Sequence, residues 1–350
     1  MVLVVPGASD GVTDVVWWSR ALVSSSWDAG VRVYSVPEEG STGLATHWSL
    51  PSPALSLEVV DNFVIAGCVD GSIRALMESS FDVIGRHSSG VRRVEYCRSL
   101  GLVFSGSWDK TVCAWDPRSK NMVSQTHVEG KCFGLSLSHV AQKVVVADSE
   151  QNVSIYDVRS MGSKPPLSTK KSSLKHQTRC LKCFPDGRGY ALSSVEGRVA
   201  VEHFEEQDAS KHNFAFKCHR DDKFIYPVNA LAFHPTFNTF ATGGDDGNVF
   251  LWDPMAKRRL CKLDLVSSSI AALAFNDTGT KLAIADTFNA YLHNAKHSLS
   301  NASKQVPPPD NDTLHIGDIL IHSPLSHEVM PKQLQQQQKS NLEQPSSSAP

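Results

Sequence analysis

The sequence has no long apolar run, no excess charge of either sign, no second cysteine pair and no catalytic signature. Each absence removes a class of function. Apolar stretches such as Phe63 to Val69 end within a few residues at Asp70, well short of the roughly 18 that a membrane-spanning helix needs. Lys+Arg 34 against Asp+Glu 36 leaves a formal net charge of −2 over 350 residues. No global field therefore draws the chain to nucleic acid or an anionic membrane, and charge-based recognition has to be local. The start, Met1-Val-Leu-Val-Val-Pro6, has no basic leader and only a short apolar run, so a nuclear or cytosolic chain is expected. There the eight cysteines (Cys68, Cys97, Cys113, Cys132, Cys180, Cys183, Cys218, Cys261) are expected to be reduced thiols. Cys180-Leu-Lys-Cys183 stands alone, without the partner pair of a zinc ribbon, and reads as alternate positions of a strand. No metal and no cofactor are expected.

Catalysis is equally unsupported. None of the 14 histidines falls in an H-E-x-x-H context, and no Gly-x-Ser-x-Gly elbow is present. Gly243-Gly-Asp-Asp-Gly247 lacks the Lys-Ser/Thr and the helix that a phosphate loop requires. A non-enzymatic protein is expected.

What the chain does have is a repeat. An acidic residue, two residues, a β-branched residue, two more and usually an aromatic recur as Asp28-Ala-Gly-Val31-Arg-Val-Tyr34, Asp70-Gly-Ser-Ile73-Arg-Ala-Leu76 and Asp109-Lys-Thr-Val112-Cys-Ala-Trp115. The phrase returns as Glu150-Gln-Asn-Val153-Ser-Ile-Tyr156, Glu196-Gly-Arg-Val199-Ala-Val-Glu202 and Asp246-Gly-Asn-Val249-Phe-Leu-Trp252. The acidic positions are 42, 39, 41, 46 and 50 residues apart, the period of a four-stranded propeller blade with loops enlarging the later units. Asp-Gly turns followed by alternation of period two give each phrase the character of a tight turn entering a strand. Apolar runs such as Leu102 to Ser107, Thr239 to Gly244 and Lys281 to Asp286 precede the turns or stand alone and fit the inner strands.

Trp115-Asp116, Tyr156-Asp157 and Trp252-Asp253 close three copies, and in this register the chain resembles a WD40 propeller. The upstream Gly-His element is approximated only at Gly85-Arg-His87, so the buried hydrogen-bond network that accompanies it is expected to be incomplete in most blades. The expected fold is all-β: a seven-bladed WD40 β-propeller over residues 1–294, with a disordered C-terminal tail. Val2-Leu-Val-Val5 is expected to pair with the last blade, which 313–322 would complete. Residues 295–350 hold 7 of the 18 prolines and the run Gln335 to Gln338, a composition that favours disorder.

The informative region for recognition is Ser173 to Arg220, which carries Lys175, Arg179, Lys182, Arg188, Arg198, Lys211, Lys217 and Arg220. Arg198 sits inside a β phrase and must pair, snorkel or face a ligand. Pairing with Glu196 or Glu202 is one outcome. The other is convergence with Lys217, placed on the next blade's leading strand, into a grip for phosphate or carboxylate.

Several blocks, Ser173-Leu-Lys-His-Gln-Thr-Arg-Cys180, Val195-Glu-Gly-Arg-Val-Ala-Val-Glu202, Phe214-Ala-Phe-Lys-Cys-His-Arg220, Tyr226-Pro-Val-Asn229 and Asn238 to Gly244, resemble the Bub-three mitotic checkpoint propellers. The likeness runs from about Asp14 to Asp286. The sister propellers of the Rae-one kind, which serve messenger-RNA export at the nuclear pore, share the Gln-x-Arg, Glu-Gly-Arg and Phe-Lys-Cys-His-Arg blocks. The resemblance implies a spindle-checkpoint adaptor, nuclear and kinetochore-associated in mitosis and also cytoplasmic, and monomeric within its complexes. It implies that Arg179, Trp27 and Trp108 bind an acidic peptide, the Gle-two-binding sequence, of checkpoint kinase-type partners. It also implies that Arg198 and Lys217 grip phosphothreonine in Met-Glu-Leu-Thr repeats of a kinetochore scaffold. The alternatives are an export adaptor at the nuclear pore and a generic WD40 assembly or substrate-receptor scaffold. Divergence around Arg74-Ala-Leu-Met77 and after Asp286 marks the chain as a diverged paralogue.

Overall fold

In the computed structural model, which describes residues 2–5, 8–38, 41–78, 80–263, 269–287 and 319–335, the repeat becomes seven four-stranded antiparallel sheets. Six are built from consecutive chain: blades 1 (residues 12–49), 2 (54–86), 3 (91–127), 4 (132–171), 5 (178–217) and 6 (228–263). Each innermost strand packs on that of the next blade, and Ser269–Phe275 of blade 7 packs on Val12–Trp18 of blade 1, closing the ring.

The second strand of each blade is buried between its neighbours, which is why runs such as Leu102–Ser107 show no one-faced alternation. Their serines are packing residues with satisfied hydroxyls: Ser107 Oγ donates to the carbonyls of Ser89 and Gly90 at 3.0 Å each. Apolar clusters lie between blades, as where Val23, Val31 and Val33 of blade 1 meet Leu57, Val64 and Ala66 of blade 2.

Blade 7 is assembled from distant pieces. After Ser269–Phe275 and Leu282–Thr287, its third strand is Ile319–His322 and its outermost is the N-terminal Val2–Val5, in the register Val2↔His322 to Val5↔Ile319. This closure secures the ring by joining its two ends in one sheet. Beyond the strand the chain runs onto blade 6, where Val329 and Met330 are buried and Thr239 Oγ1 donates to the Val329 carbonyl at 2.6 Å. Residues 288–318 and 336–350, on which most of the expected disordered tail falls, lie outside the described residues.

Among the described residues, two blades hold their turns with a complete buried network. In blade 3, His87 Nδ1 meets Asp109 at 2.9 Å, His87 Nε2 meets Ser105 Oγ at 2.7 Å, and Trp115 Nε1 donates to the same hydroxyl at 2.7 Å. Burial pushes the His87 imidazole below its ordinary range despite the adjoining carboxylate. Blade 6 repeats the set with His219, Asp246, Thr242 and Trp252, so a second histidine joins the one Gly-His element legible in the sequence. Blades 1 and 2 use arginine instead. Arg32 grips Asp28 at 2.6 Å, and the buried Arg74 reaches Asp70 at 3.1 Å while lying over the Phe81 ring. The unusual Arg74-Ala-Leu-Met77 stretch is thus a different solution to fixing the same turn.

Candidate functional site: one cationic rim

All five predicted site residues lie on one face of the ring, for a topological reason. In each antiparallel blade the start of the first strand pairs with the end of the second, and the start of the third with the end of the fourth. The turns between second and third strands and the blade-to-blade connections therefore share a rim. Trp27 and Trp108 sit in such turns, Arg179 near the start of Thr178–Cys183, Arg198 at the start of Arg198–His203, and Lys217 at the end of Phe214–Lys217.

The inner edge of the rim is shaped by a recurrent irregularity. Every first strand slips register near its start, after the first residue in blades 1 to 6 and after the second in blade 7, leaving Thr13, Leu55, Arg92, Phe133, Arg179, Asn229 and Ala271 as the unpaired extra residues of seven bulges. Bulges re-aim side chains. The exposed Arg179 donates through Nε and one terminal nitrogen to Asn229 Oδ1, at 3.1 and 2.9 Å. Asn229 in turn donates to Asp245 at 2.6 Å, which also accepts from Ser269 Oγ. On the other side Arg92 donates to the Arg179 carbonyl at 3.3 Å. Burial and the adjacent Arg93 push Arg92 down to about 10, whereas at Arg93 burial is outweighed by the Asp14 carboxylate, 2.9 Å away, together with Glu95 and Cys180, which hold the guanidinium above its ordinary range. Arg179 is therefore a positive group oriented by a neutral acceptor. Sequence reasoning missed Arg92 and Asn229 as its partners; aligning the second residue of every inner strand would have found them.

The two tryptophans differ. Each backbone N–H donates to the glycine ahead of its own blade's inner strand, Trp27 to Gly11 and Trp108 to Gly90. Trp27 is 48% exposed. Trp108 is half-buried, its six-membered ring pressed so closely on Gly90 that a Cβ there would lie 2.7 Å away. Only Trp27 offers a broad apolar surface.

Lys217 is not on the next blade's leading strand, as the sequence suggested. The helix Glu206–His212 bridges the third and fourth strands of blade 5, so Phe214–Lys217 returns as that blade's outermost strand. Arg198 and Lys217 are direct cross-strand partners, which places both side chains on one face of the sheet. Lys217 is exposed and makes no ion pair among the described residues. Arg198 Nε lies 3.5 Å from Glu196 Oε1, whose other oxygen is 3.4 Å from His176 Nε2. On the other face of this outer strand, toward blade 6, a cavity of about 170 Å³ is walled by Phe214, Phe216 and Trp252 and edged by Lys257 and Arg258. Among the described residues no group of three or more His, Cys, Asp or Glu is arranged to hold a metal ion, and no helix is long and apolar enough to cross a membrane.

Comparison with known proteins agrees with this architecture. The family model described as WD domain, G-beta repeat, matches residues 79–116 and 210–253, blades holding the two complete histidine networks. Mitotic checkpoint protein BUB3.1 of Arabidopsis thaliana is 40% identical over 294 residues, covering 80% of this chain and 85% of that protein. Mitotic checkpoint protein bub3 of Dictyostelium discoideum is 35% identical over 335 residues, covering 92% and 94%. A poly(A)+ RNA export protein of Schizosaccharomyces pombe is 32% identical over 295 residues, covering 80% and 82%.

Proposed function

Because this chain belongs to the Bub-three family of mitotic checkpoint WD40 proteins, we propose that it acts as a non-enzymatic adaptor at kinetochores with two peptide sites on one rim. At the outer site Arg198 and Lys217 take a phosphothreonine in Met-Glu-Leu-Thr repeats of a kinetochore scaffold. At the inner site Arg179 pairs with glutamates of the Gle-two-binding sequence of a checkpoint kinase-type partner, with Trp27 and Trp108 as apolar contacts. The observation that carries this assignment is the Arg198↔Lys217 register, which supports two cations converging on one ligand. Charge-assisted bonds from both to phosphate oxygens make the contact switchable by a kinase, since unmodified threonine brings no charge.

Titration of a Met-Glu-Leu-phosphothreonine peptide against the wild type and Arg198→Ala tests the outer site; unchanged affinity removes the assignment. The similarity to the fission-yeast export protein supports a second reading, an export adaptor at the nuclear pore using the same inner site. Localisation separates the two. The adaptor collects on unattached kinetochores in prometaphase, and nuclear-rim staining without that enrichment favours export.

A further inference from the structure

The outer site contains its own competing anion. Glu196 occupies the turn just before Arg198, and its backbone is fixed from three sides. Arg220 donates to its carbonyl at 2.8 Å, Cys218 N–H donates to the Gly197 carbonyl at 2.9 Å, and Gly197 holds φ +63° with no room for a Cβ against the Cys218 carbonyl. Only the Glu196 side chain is left to move. One carboxylate oxygen faces Arg198 and the other faces His176, which is exposed. Both Arg198 and Glu196 are partly open to solvent, so the pair is easily exchanged.

We propose that Glu196 is a selectivity gate: it occupies Arg198 until a phosphate displaces it, and it then turns toward His176. The proposal rests on the phosphothreonine assignment and deepens it. A ligand carboxylate replaces one carboxylate at Arg198 by another and gains little. A phosphate brings a charge of roughly −1.5 to −2 and three acceptor oxygens, and reaches Arg198 and Lys217 together. Both anions have to displace Glu196 at the same cost, so Glu196 sets a threshold that the phosphate clears and a lone carboxylate does not.

The test measures affinities of three peptides, bearing phosphothreonine, glutamate or unmodified threonine at the same position, for the wild type, Glu196→Gln, Glu196→Asp and Arg198→Ala. Thermal melts confirm that each variant is folded. Glu196→Gln is expected to strengthen phosphopeptide binding about three- to tenfold and to raise the glutamate peptide, which binds the wild type no better than the threonine peptide, above the threonine peptide by up to the same factor. Glu196→Asp keeps the charge but withdraws it from Arg198 and should shift in the same direction. If Glu196→Asp behaves as wild type while Glu196→Gln shifts, the effect is one of charge alone and the gate is overturned. If neither variant shifts while Arg198→Ala still abolishes phosphopeptide binding, the gate is overturned and the phosphothreonine site stands. If the wild type does not distinguish phosphothreonine from threonine, the phosphothreonine assignment fails and the gate fails with it.

Discussion

Arg179 and Arg198 are both cations at the start of a strand in blade 5, yet their partners are opposite in kind. Arg179, on the inner edge, is oriented by the neutral Asn229 amide, whose remaining bonds run to Asp245 and Ile270. Arg198, on the outer edge, leans on a carboxylate. The first keeps its full charge on offer to any anion. On the proposed gate, the second yields its charge only to a ligand that outcompetes Glu196. Orientation by a neutral acceptor suits a site that recognises an acidic segment at all times, and orientation by an anion suits a site that waits for a modification.

The largest expected effect is at the outer edge. Arg198→Ala should weaken phosphothreonine-peptide binding roughly 10- to 100-fold, the loss of a charge-assisted bond pair, and leave acidic-peptide binding unchanged. Isothermal titration with both peptides at one salt concentration reads the two together. A loss for both peptides would mean that the edges form a single site.

Arg179→Ala should show the reverse specificity, about a tenfold loss for the acidic peptide and none for the phosphopeptide. Asn229→Ala tests the preparation and not the charge. With Arg179 intact but unguided, a loss of roughly threefold is expected, from the cost of ordering a free side chain on binding. An Asn229→Ala loss as large as that of Arg179→Ala would show that orientation matters more than charge at this edge.

The tryptophans sharpen the contrast at smaller scale. Trp27→Ala should reduce acidic-peptide affinity severalfold with little change in melting temperature, because nearly half of the side chain is already exposed. Trp108→Ala should lower the melting temperature instead, since it vacates the surface over Gly90. Paired melting and binding measurements separate the two roles, which are indistinguishable in the matching Ser-Trp-Asp sequences.

That indistinguishability shows where the sequence stops being informative. Six blades with their turns, and most inner strands, are legible because each is a local pattern repeated at a near-constant period. Blade 7 was harder because its sheet joins Val2 to His322, a pairing with no local signature. Lys217 was assigned to the wrong blade because the insertion carrying Glu206–His212 stretched the period until a fourth strand looked like a first. The Arg198 and Lys217 neighbourhood remained visible, since both belong to recognisable phrases. Asn229 and Arg92 did not stand out, because a bulge residue owes its direction to a register slip between strands and not to its own neighbours in sequence.

Beneath the rim the contrast between satisfied and waiting charge continues in a cavity lined by Asp14, Glu58, Arg93 and Lys182. Asp14 is taken by Arg93 at 2.9 Å and Glu95 by Lys182 at 3.0 Å, so Glu58 is the acid whose neighbouring cations are already engaged. Burial first, and the Glu95 carboxylate second, push Glu58 up to about 8, with Lys182 opposing. Its folded pKa thus lies above the ordinary value of 4.5, and between these values the folded chain holds a proton that the unfolded chain has lost. The stabilisation is complete below about pH 4.5, declines as pH rises toward 8, and is gone above it, with a limiting slope of about 1.4 kcal/mol per pH unit. His87 acts in the opposite sense: its neutral buried form stabilises the fold above the ordinary histidine range and loses that contribution as pH falls. Glu58→Gln should therefore leave the acid limb unchanged and flatten the decline between pH 6 and 8, so that urea midpoints of variant and wild type diverge with rising pH. Parallel midpoints across that range would place a cation on Glu58 and return it to the satisfied class.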